Sequence, residues 1–370
     1  APASRRQCST RLSYSPTVRV RPIIAGQERA YKQPFAGWQA VNRLLGRIMV
    51  SASLSPDSPA AAPNAEHWEW QYLRLMRRIW EEGDERRDRT GVGTRSLFGA
   101  EIRFDMSGGA MPLLTTKLVY WKTATRELLW FLTGETNIRP LCAQGVEIWT
   151  DWPLDRYRRE TGEQMTRADF SARIVADAEF AAKWGDLGPV YGKQWVDWPT
   201  YEPTGDGLYR QGAGINQVAE VVTSLRANPG SRRHIIEGWN VAELDAMALP
   251  PCHKTYQFHV SGNRLSGLLY QRSCDLGLGF AFNMWSLALI IRMLAQQAGL
   301  EPGEAVWMGG DVHLYLNHAP LVEEQLRRAP SGEARLEIVR QPASMFEYRI
   351  EDFSVSGYAP QAHIAAPVAV

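Results

Sequence analysis

The sequence predicts an α+β fold. Segments with strand periodicity and segments with helix periodicity are mixed along the chain, without the regular alternation of a parallel doubly wound sheet. Two patterns support this prediction most strongly: a hairpin pattern, TYQFHVSGNRLSGLLYQRS, and the apolar helix pattern NMWSLALIIRMLAQQAG that follows it. The chain has 370 residues, 45 % of them apolar, which is enough for a large buried core.

The segment before residue 67 differs in composition from the rest of the chain. It starts with a basic stretch that has no acidic residue before Glu28, and it ends in the Pro/Ala/Ser-rich run SASLSPDSPAAAPNAE. Such a run has too little apolar surface to fold. We expect residues 1–66 to be a disordered or dispensable extension, with an Arg- and Ser-rich transit peptide as the alternative. Residues 67–370 should form the folded domain, and no secretory signal is apparent.

Apolar periodicity identifies the elements that follow. WQYLRLMRRIWEEG is a helix pattern that stops at Gly83, LFGAEIRFDM is a strand pattern, and TATRELLWFLTG is a helix pattern that carries Glu127 among apolar neighbours. The polar stretch 155–183 predicts a variable insertion on the surface. The hairpin should turn at Gly262-Asn263, and the last long helix should stop at a glycine.

Charge and cysteine content exclude several classes of protein. Lys plus Arg total 41 against 40 Asp plus Glu, so there is no general attraction to nucleic acid or to a membrane, and an anionic ligand would need local arginines. The four cysteines show neither a disulfide framework nor zinc spacing, and they fit a reducing, cytoplasmic compartment. The apolar uncharged run at residues 276–291 is short for a bilayer and predicts a buried helix.

The stretch LPPCHKTYQF contains the first candidate for chemistry, Cys252. Two prolines stiffen the backbone before it, and a histidine follows it. A thiolate is a strong nucleophile, and nearby cationic groups increase its fraction. Adjacent residues of a strand point to opposite faces, so these groups should come from elsewhere in the chain, with arginines as the obvious supply. A buried structural cysteine is the open alternative.

Arginine-bearing clusters lie beside glycine turns and strand ends. RRDRTGVGT, PGSRRHII and YQRSCD contribute Arg89, Arg232, Arg233, Arg272, Ser273 and Asp275. Guanidinium groups together with a hydroxyl suit a dianionic phosphate, although each cluster alone also fits a solvated loop.

Glu127 and Asn283 are polar residues inside apolar helix patterns. A buried carboxylate is costly unless it is paired or functional. The Asn283 amide either caps its helix or, since it has a donor and an acceptor, reads the edge of a pyrimidine. The chain has no P-loop, no GxGxxG after a strand and no HExxH, so we expect no metal, and an enzyme would rely on side chains and an organic co-substrate.

A series of motifs, taken in order, resembles the folate-dependent thymidylate synthase family from about His67 to Val370. The motifs are DRTGVGT, ELLWFLTGETNI, DLGPVYGKQW, SRRHII, MALPPCH, LYQRSCD, GGDVHLYLNH and APVAV. The resemblance implies a large mixed sheet with packed helices, one sheet face forming the interface of a homodimer with shared active sites. It also implies the reductive methylation of dUMP to dTMP, in which 5,10-methylenetetrahydrofolate supplies the one-carbon unit and the hydride and leaves as dihydrofolate.

The same resemblance implies roles for individual residues. Cys252 is the implied nucleophile that adds to C6 of dUMP, and the other implied catalytic residues are Glu127, Tyr191 and Asp275. The implied substrate-binding residues are Arg89, Arg232, Arg233, His253, Arg272, Ser273, Asn283, His313 and Tyr315, of which Arg232 and Arg233 reach the phosphate from the other subunit. The implied folate-binding residues are Trp149, Trp152, Asp275, Gly279, Phe282 and Ala369.

The chain departs from the family pattern at several positions. Met284-Trp285 replaces a smaller apolar pair, Glu237-Gly238 replaces Ser-Ala, and Leu118 and Ala365 replace common basic residues. The last two bear on the binding of a polyglutamate tail, and Trp285 bears on the core beneath the folate pocket.

Two alternatives to the synthase remain. One is a dUMP 5-hydroxymethylase of the same family, in which water rather than hydride captures the exocyclic methylene intermediate. The retained aromatic wall and the APVAV tail favour the synthase, because they should exclude water. The other is a non-catalytic member that binds nucleotide or RNA, for which the neutral charge gives no support.

Overall fold

The computed structural model describes residues 67–87 and 91–368. The predictions for residues 1–66, for Arg89 and for Ala369 therefore lie outside the described residues. Residues 201–211 belong to a unit separate from the other described residues, and they form a two-stranded antiparallel hairpin. The remaining described residues form one unit, which contains all the elements of the site.

Strands and helices are mixed along the chain, as predicted. The strands are β1 (Asp84–Arg86), β2 (Thr94–Asp105), β3 (Ala110–Met111), β4 (Tyr201–Pro203), β5 (Tyr209–Gln211), β6 (Ile235–Glu237), β7 (His253–Ser261), β8 (Arg264–Asp275), β9 (Glu301–Tyr315), β10 (Ala334–Ile338) and β11 (Phe353–Ser356). The helices are α1 (Glu69–Glu82), α2 (Trp121–Thr133), α3 (Arg139–Cys142), α4 (Asp151–Thr161), α5 (Arg167–Ala176), α6 (Ala178–Trp184), α7 (Tyr191–Val196), α8 (Gln217–Ala227), α9 (Gly279–Ala298) and α10 (Ala319–Arg327).

The main sheet has six strands in the order β1-β2-β9-β8-β7-β6. Its neighbouring strands are antiparallel except β8 and β9, which are parallel. A second, three-stranded sheet has the order β11-β10-β3. A large mixed sheet with packed helices confirms the α+β prediction.

The parallel pair requires a crossover, and α9 provides it. Almost all of α9 is buried, and it ends at Gly299, whose left-handed φ of +71° confirms the predicted glycine stop. By length and composition it is long and apolar enough to cross a membrane, but its most apolar stretch is 78 % buried inside the protein. Because α9 begins at Gly279, Asn283 lies inside the helix, and the capping alternative for Asn283 is wrong.

The predicted hairpin is formed by β7 and β8, with Gly262 at a φ of +59° in the turn. A bulge between His253 and Thr255 shifts the register, so that His253 faces Gln271. The end of β7 that carries the nucleophile candidate therefore meets the polar end of β8.

The polar stretch 155–183 is largely helical, because α4, α5 and α6 run through it. Its aromatic side chains pack on one another: the ring centres of Tyr157 and Trp184 are 5.1 Å apart, and those of Phe170 and Phe180 are 5.5 Å apart. This segment thus buries an apolar cluster under a charged surface.

Candidate active site

A cavity of about 510 Å³ lies where α2, α7, α9 and the ends of β7, β8 and β9 meet. Most of the predicted site residues line it: Glu127, Trp149, Trp152, Tyr191, Cys252, His253, Arg272, Ser273, Asp275, Gly279, Asn283, His313 and Tyr315. Phe282 is not among the lining residues, and Arg232 and Arg233 are exposed just before β6.

Cys252 is fixed through its backbone at the start of β7. Its N–H donates to the Tyr191 hydroxyl oxygen at 2.8 Å, and its carbonyl accepts from the Arg272 N–H at 3.0 Å. Its side chain is half-buried and lines the cavity. The backbone on both sides of the thiol is therefore held in place.

Arg272 supports the backbone before the cysteine. Its Nε lies 2.9 Å from the carbonyl oxygen of Pro251, and its Nη2 lies 2.7 Å from that of Pro250. The guanidinium also stands over the ring of Trp239, 5.1 Å from the ring centre. This arrangement puts a permanent positive charge beside the backbone that carries Cys252.

Glu127 is buried on α2, and its Oε1 accepts from the indole Nε1 of Trp149 at 2.8 Å. Burial raises the pKa of Glu127 to about 7, while the Trp149 hydrogen bond opposes this shift. A carboxyl group with a pKa near neutrality can both give and take a proton, as general acid–base chemistry requires.

The amide of Asn283 has a defined orientation. The indole Nε1 of Trp307 is a donor only, and it lies 2.8 Å from Gln271 Oε1. Gln271 must then present Nε2, which donates to Asn283 Oδ1 at 2.8 Å. The bond from Gln271 therefore identifies Oδ1 as the acceptor and Nδ2 as the donor of the Asn283 side chain, which lines the cavity.

His253 is buried between Tyr256, whose hydroxyl lies 3.2 Å from Nδ1, and the side chain of Asn283. Burial lowers the pKa of His253 to about 4, so the ring is neutral at physiological pH. It therefore acts as a neutral hydrogen-bonding group beside the oriented amide.

The wall opposite the cysteine is aromatic. The rings of Trp149 and Trp152 lie 5.2 Å apart, and Trp149 also meets Phe131 edge-on at 6.2 Å. Gly279 has no side chain there; a Cβ at this position would lie 3.6 Å from Asn283 Oδ1. Asp275 Oδ1 accepts from the N–H of Gly277 at 2.8 Å, which fixes the carboxylate at the cavity edge.

Several lining residues were not among the sequence predictions. They are Arg86, Arg87, Thr94, Phe131, Ile148, Leu249, Gln271 and Asp311. Two of them could have been identified as site candidates from their positions in the sequence. Gln271 directly precedes two predicted site residues, and Asp311 lies two positions before His313, on the same face of a strand.

Fold and site together fit an enzyme in which a cysteine with a fixed backbone, a carboxyl group with a pKa of about 7 and an oriented amide line one cavity. A profile of the thymidylate synthase family matches residues 70–370. The thymidylate synthase of Novosphingobium aromaticivorans is 77 % identical over 308 residues, covering 83 % of this chain and 98 % of that protein. The thymidylate synthase of Sphingopyxis alaskensis is 70 % identical over 306 residues, covering 82 % of this chain and 98 % of that protein. The thymidylate synthase of Zymomonas mobilis is 55 % identical over 303 residues, covering 82 % of this chain and 99 % of that protein. The chain belongs to the thymidylate synthase family.

Proposed function

We propose that this enzyme converts dUMP to dTMP in the cavity around Cys252. The observation that carries the proposal is the placement of an oriented amide, Asn283, in the same cavity as a backbone-fixed cysteine. 5,10-Methylenetetrahydrofolate supplies the one-carbon unit and the hydride. The protein supplies the nucleophile, the proton transfers and a site closed to water.

The reaction begins with addition of the Cys252 thiolate to C6 of the pyrimidine. The S–C6 bond forms, and the electron pair of the C5=C6 bond moves toward C4 and O4. The Nδ2 donor of Asn283 is placed to stabilise the charge that develops on O4. C5 then bonds to the one-carbon unit and loses its proton, and the bond from that carbon to the folate nitrogen breaks. The folate returns a hydride to the exocyclic carbon and leaves as dihydrofolate, and the S–C6 bond breaks as the C5=C6 bond re-forms.

Glu127 serves the proton transfers. Its pKa of about 7 lets it protonate O4 in one step and accept a proton in another. Tyr191 stands between this carboxyl group and the nucleophile: its hydroxyl accepts from the Cys252 N–H, and its ring stacks on Phe131 with centres 4.8 Å apart. Tyr191 can therefore hold a water in place for removal of the C5 proton.

Asn283 selects uracil over cytosine. Uracil presents N3–H, a donor, and O4, an acceptor, which match the Oδ1 and Nδ2 of the amide. Cytosine presents an acceptor at N3 and a donor at C4, so both bonds would be opposed. Because Trp307 and Gln271 hold the amide, Asn283 cannot turn over to accommodate cytosine without breaking their bonds.

The phosphate site is shared between subunits of a homodimer. Arg272 and Ser273 line the cavity of their own subunit. Arg232 and Arg233 are exposed and outside that cavity, and this supports their use by the partner subunit. Arg89 completes the proposed set. Guanidinium forks bind a dianionic phosphate well.

The folate is proposed to bind against Trp149 and Trp152, with Asp275 at its polar edge. The residues present fit a flat heteroaromatic group, since the wall is aromatic and Gly279 leaves room beside Asn283. Phe282 is half-buried and lies one turn after Gly279 in α9. We propose that Phe282 and Ala369 support the same aromatic wall. We place catalysis in residues 67–370 and the enzyme in the cytoplasm, since the cysteine pattern fits a reducing compartment.

Product analysis tests the proposal. Incubation with dUMP and methylenetetrahydrofolate should give dTMP and dihydrofolate, identified by mass. Formation of 5-hydroxymethyl-dUMP and tetrahydrofolate would identify the hydroxymethylase instead. Cys252→Ser should abolish turnover while nucleotide binding survives, since an alcohol is a much poorer nucleophile at neutral pH. Near-normal turnover of this variant would remove Cys252 from its role.

Subunit exchange tests the shared site. Cys252→Ser and Arg232→Ala proteins, each folded and nearly inactive, are mixed under conditions in which exchange is shown independently. A heterodimer then contains one site with both lesions and one site with neither, so activity should reappear. Activity that stays at the level of the single variants despite exchange would mean that Arg232 serves its own subunit.

A further inference from the structure

A chain of hydrogen bonds runs along one side of the cavity through Arg86, Asp311 and His313, all of which line it. Arg86 Nη1 lies 2.7 Å from Asp311 Oδ2, and Asp311 Oδ1 lies 3.1 Å from His313 Nδ1. Arg86 and Asp311 have no role in the reaction described above. Asp311 contacts His313 directly, and Arg86 is connected to His313 through Asp311.

Asp311 decides which ring nitrogen of His313 carries the proton. The hydrogen bond from His313, together with the ion pair to Arg86, holds the pKa of Asp311 below its ordinary value. Its carboxylate is thus ionised at neutral pH and can only accept hydrogen bonds, so His313 Nδ1 must donate. In the neutral ring Nε2 then has no proton and is an acceptor.

The strand geometry keeps this arrangement in place. Asp311, His313 and Tyr315 alternate along β9, so their side chains share one face of the sheet. The residue His313 is only 9 % exposed, which limits rotation of its ring. Arg86 comes from β1, on the far side of β2, and its long side chain spans β2 to reach Asp311.

We propose that Asp311 and Arg86 are positioning residues that hold Nε2 of His313 as the hydrogen-bond acceptor for the 3′-hydroxyl group of the nucleotide. The proposal rests on the proposed function and on the family resemblance, which implies that His313 and Tyr315 contact the sugar hydroxyl of dUMP. The only free hydroxyl of a 2′-deoxynucleoside 5′-phosphate is at C3′, and it can donate to Nε2. A 3′-deoxy nucleotide cannot, and it leaves a nearly buried acceptor without a partner.

The experiment compares dUMP with 2′,3′-dideoxyuridine 5′-monophosphate in the full-length protein. Dissociation constants are measured by calorimetry, and kcat/KM is measured in the presence of methylenetetrahydrofolate. The unaltered protein should prefer dUMP by about 10-fold or more, as expected when a buried polar group loses its partner. Asp311→Ala should reduce this ratio to about threefold or less.

Two further variants test the contribution of Arg86. Arg86→Met should lower the ratio in part, because Asp311 loses the bond that holds it. Arg86→Lys should keep most of the ratio, because an ammonium group can also pair with the carboxylate. The Arg86 side chain is 60 % exposed, so these variants should fold even if Asp311→Ala does not.

Glu304→Ala is the matched control. Glu304 also lies on β9 and accepts from an arginine of a neighbouring strand, Arg103, at 2.7 Å, but it does not line the cavity. It should leave the ratio unchanged, and a general loss of stability would likewise affect both nucleotides equally.

The inference would be refuted if the unaltered protein showed no preference for dUMP over the dideoxy nucleotide. It would also be refuted if neither Asp311→Ala nor Arg86→Met lowered the ratio between the two nucleotides. A protein that shows the Asp311-dependent preference in binding but forms no dTMP would refute the proposed function and support the inference.

Discussion

The indole Nε1 of Trp149 donates a 2.8 Å hydrogen bond to Oε1 of Glu127. This bond connects the aromatic wall of the cavity to its titrating carboxyl group. It stabilises the ionised form of Glu127, whereas burial stabilises the protonated form, and the pKa of about 7 reflects both effects. Trp149 therefore limits the rise in the pKa of Glu127 that burial causes, in addition to forming part of the wall.

Trp149→Phe should move the apparent pKa of Glu127 in the pH–rate profile upward by roughly one unit, because the ionised form loses a hydrogen bond. The measurement is kcat against pH from 5.5 to 9 at saturating substrates. Trp130→Phe is the control, since the Trp130 indole donates to the carbonyl of Asn137 instead. An unshifted profile in Trp149→Phe would show that the bond does not control the titration.

Glu127→Gln should be inactive and yet more stable than the unaltered protein above pH 7. The pKa of Glu127 is raised from 4.5 to about 7 in the folded state, so the folded state binds more protons than the unfolded state between these values. Stability is therefore lost as pH rises through this window, by about 3 kcal/mol once it is passed. Glutamine does not titrate and avoids the loss.

Urea unfolding at pH 5 and pH 8 measures this difference. Glu160→Gln, which changes an exposed carboxylate, should show the same stability as the unaltered protein at both values. If Glu127→Gln gives no greater advantage at pH 8 than at pH 5, the carboxyl group is not destabilised by burial.

Asn283→Asp should shift the preference from dUMP toward dCMP. The aspartate still accepts from Gln271 Nε2, but its other oxygen accepts where Nδ2 donated, which suits the amino group of cytosine. Competition kinetics with both nucleotides measures the shift. Gln271→Glu should also lower the preference for dUMP, because its carboxylate cannot donate to Asn283 Oδ1 and the amide of Asn283 loses its fixed orientation. Unchanged selectivity in both variants would exclude the amide as the base reader.

Trp285, which replaces a smaller residue of the family pattern, should stabilise the folded state through one hydrogen bond. The buried indole Nε1 donates to Thr125 Oγ1 at 2.9 Å and joins α9 to α2, and Thr125 Oγ1 itself donates to the Trp121 carbonyl. Thr125→Val leaves a buried N–H without an acceptor and should cost about 1–3 kcal/mol. In the Trp285→Phe background the same change should cost about 1 kcal/mol less.

Chemical denaturation of the four proteins in this double-mutant cycle provides the test. Trp195→Phe serves as the comparison for lost packing, because the buried Nε1 of Trp195 has no partner among the described residues. Additive effects of the two substitutions would show that the Trp285–Thr125 bond contributes nothing of its own.

Periodicity and glycine positions were sufficient to predict the hairpin, the strand β2 and the helices α1, α2 and α9, because these depend on local pattern. The pairing of the hairpin was harder to predict. Counting back from the turn pairs His253 with Arg272, but the bulge shifts the strand by one residue and brings Gln271 opposite His253. No local pattern signals that bulge.

The roles of Gln271 and Asp311 were not predicted for a related reason. Each acts on a residue that was predicted, and each contact depends on side chains brought together by tertiary packing: Trp307 and Asn283 around Gln271, and Arg86 beside Asp311. The parallel pairing of β8 with β9 had no sequence signal either, since it depends on where α9 returns the chain.

The place of β9 in the main sheet has a consequence for synthesis of the chain on the ribosome. β9 separates β2 from β8, although β2 is made about 200 residues earlier and β8 directly before α9. Until residue 315 has emerged, β2 and β8 each keep an open edge that can pair with another nascent chain. Completion of the sheet therefore waits for β9, and a chaperone that shields β2 during this interval would raise the yield of enzyme without changing its activity.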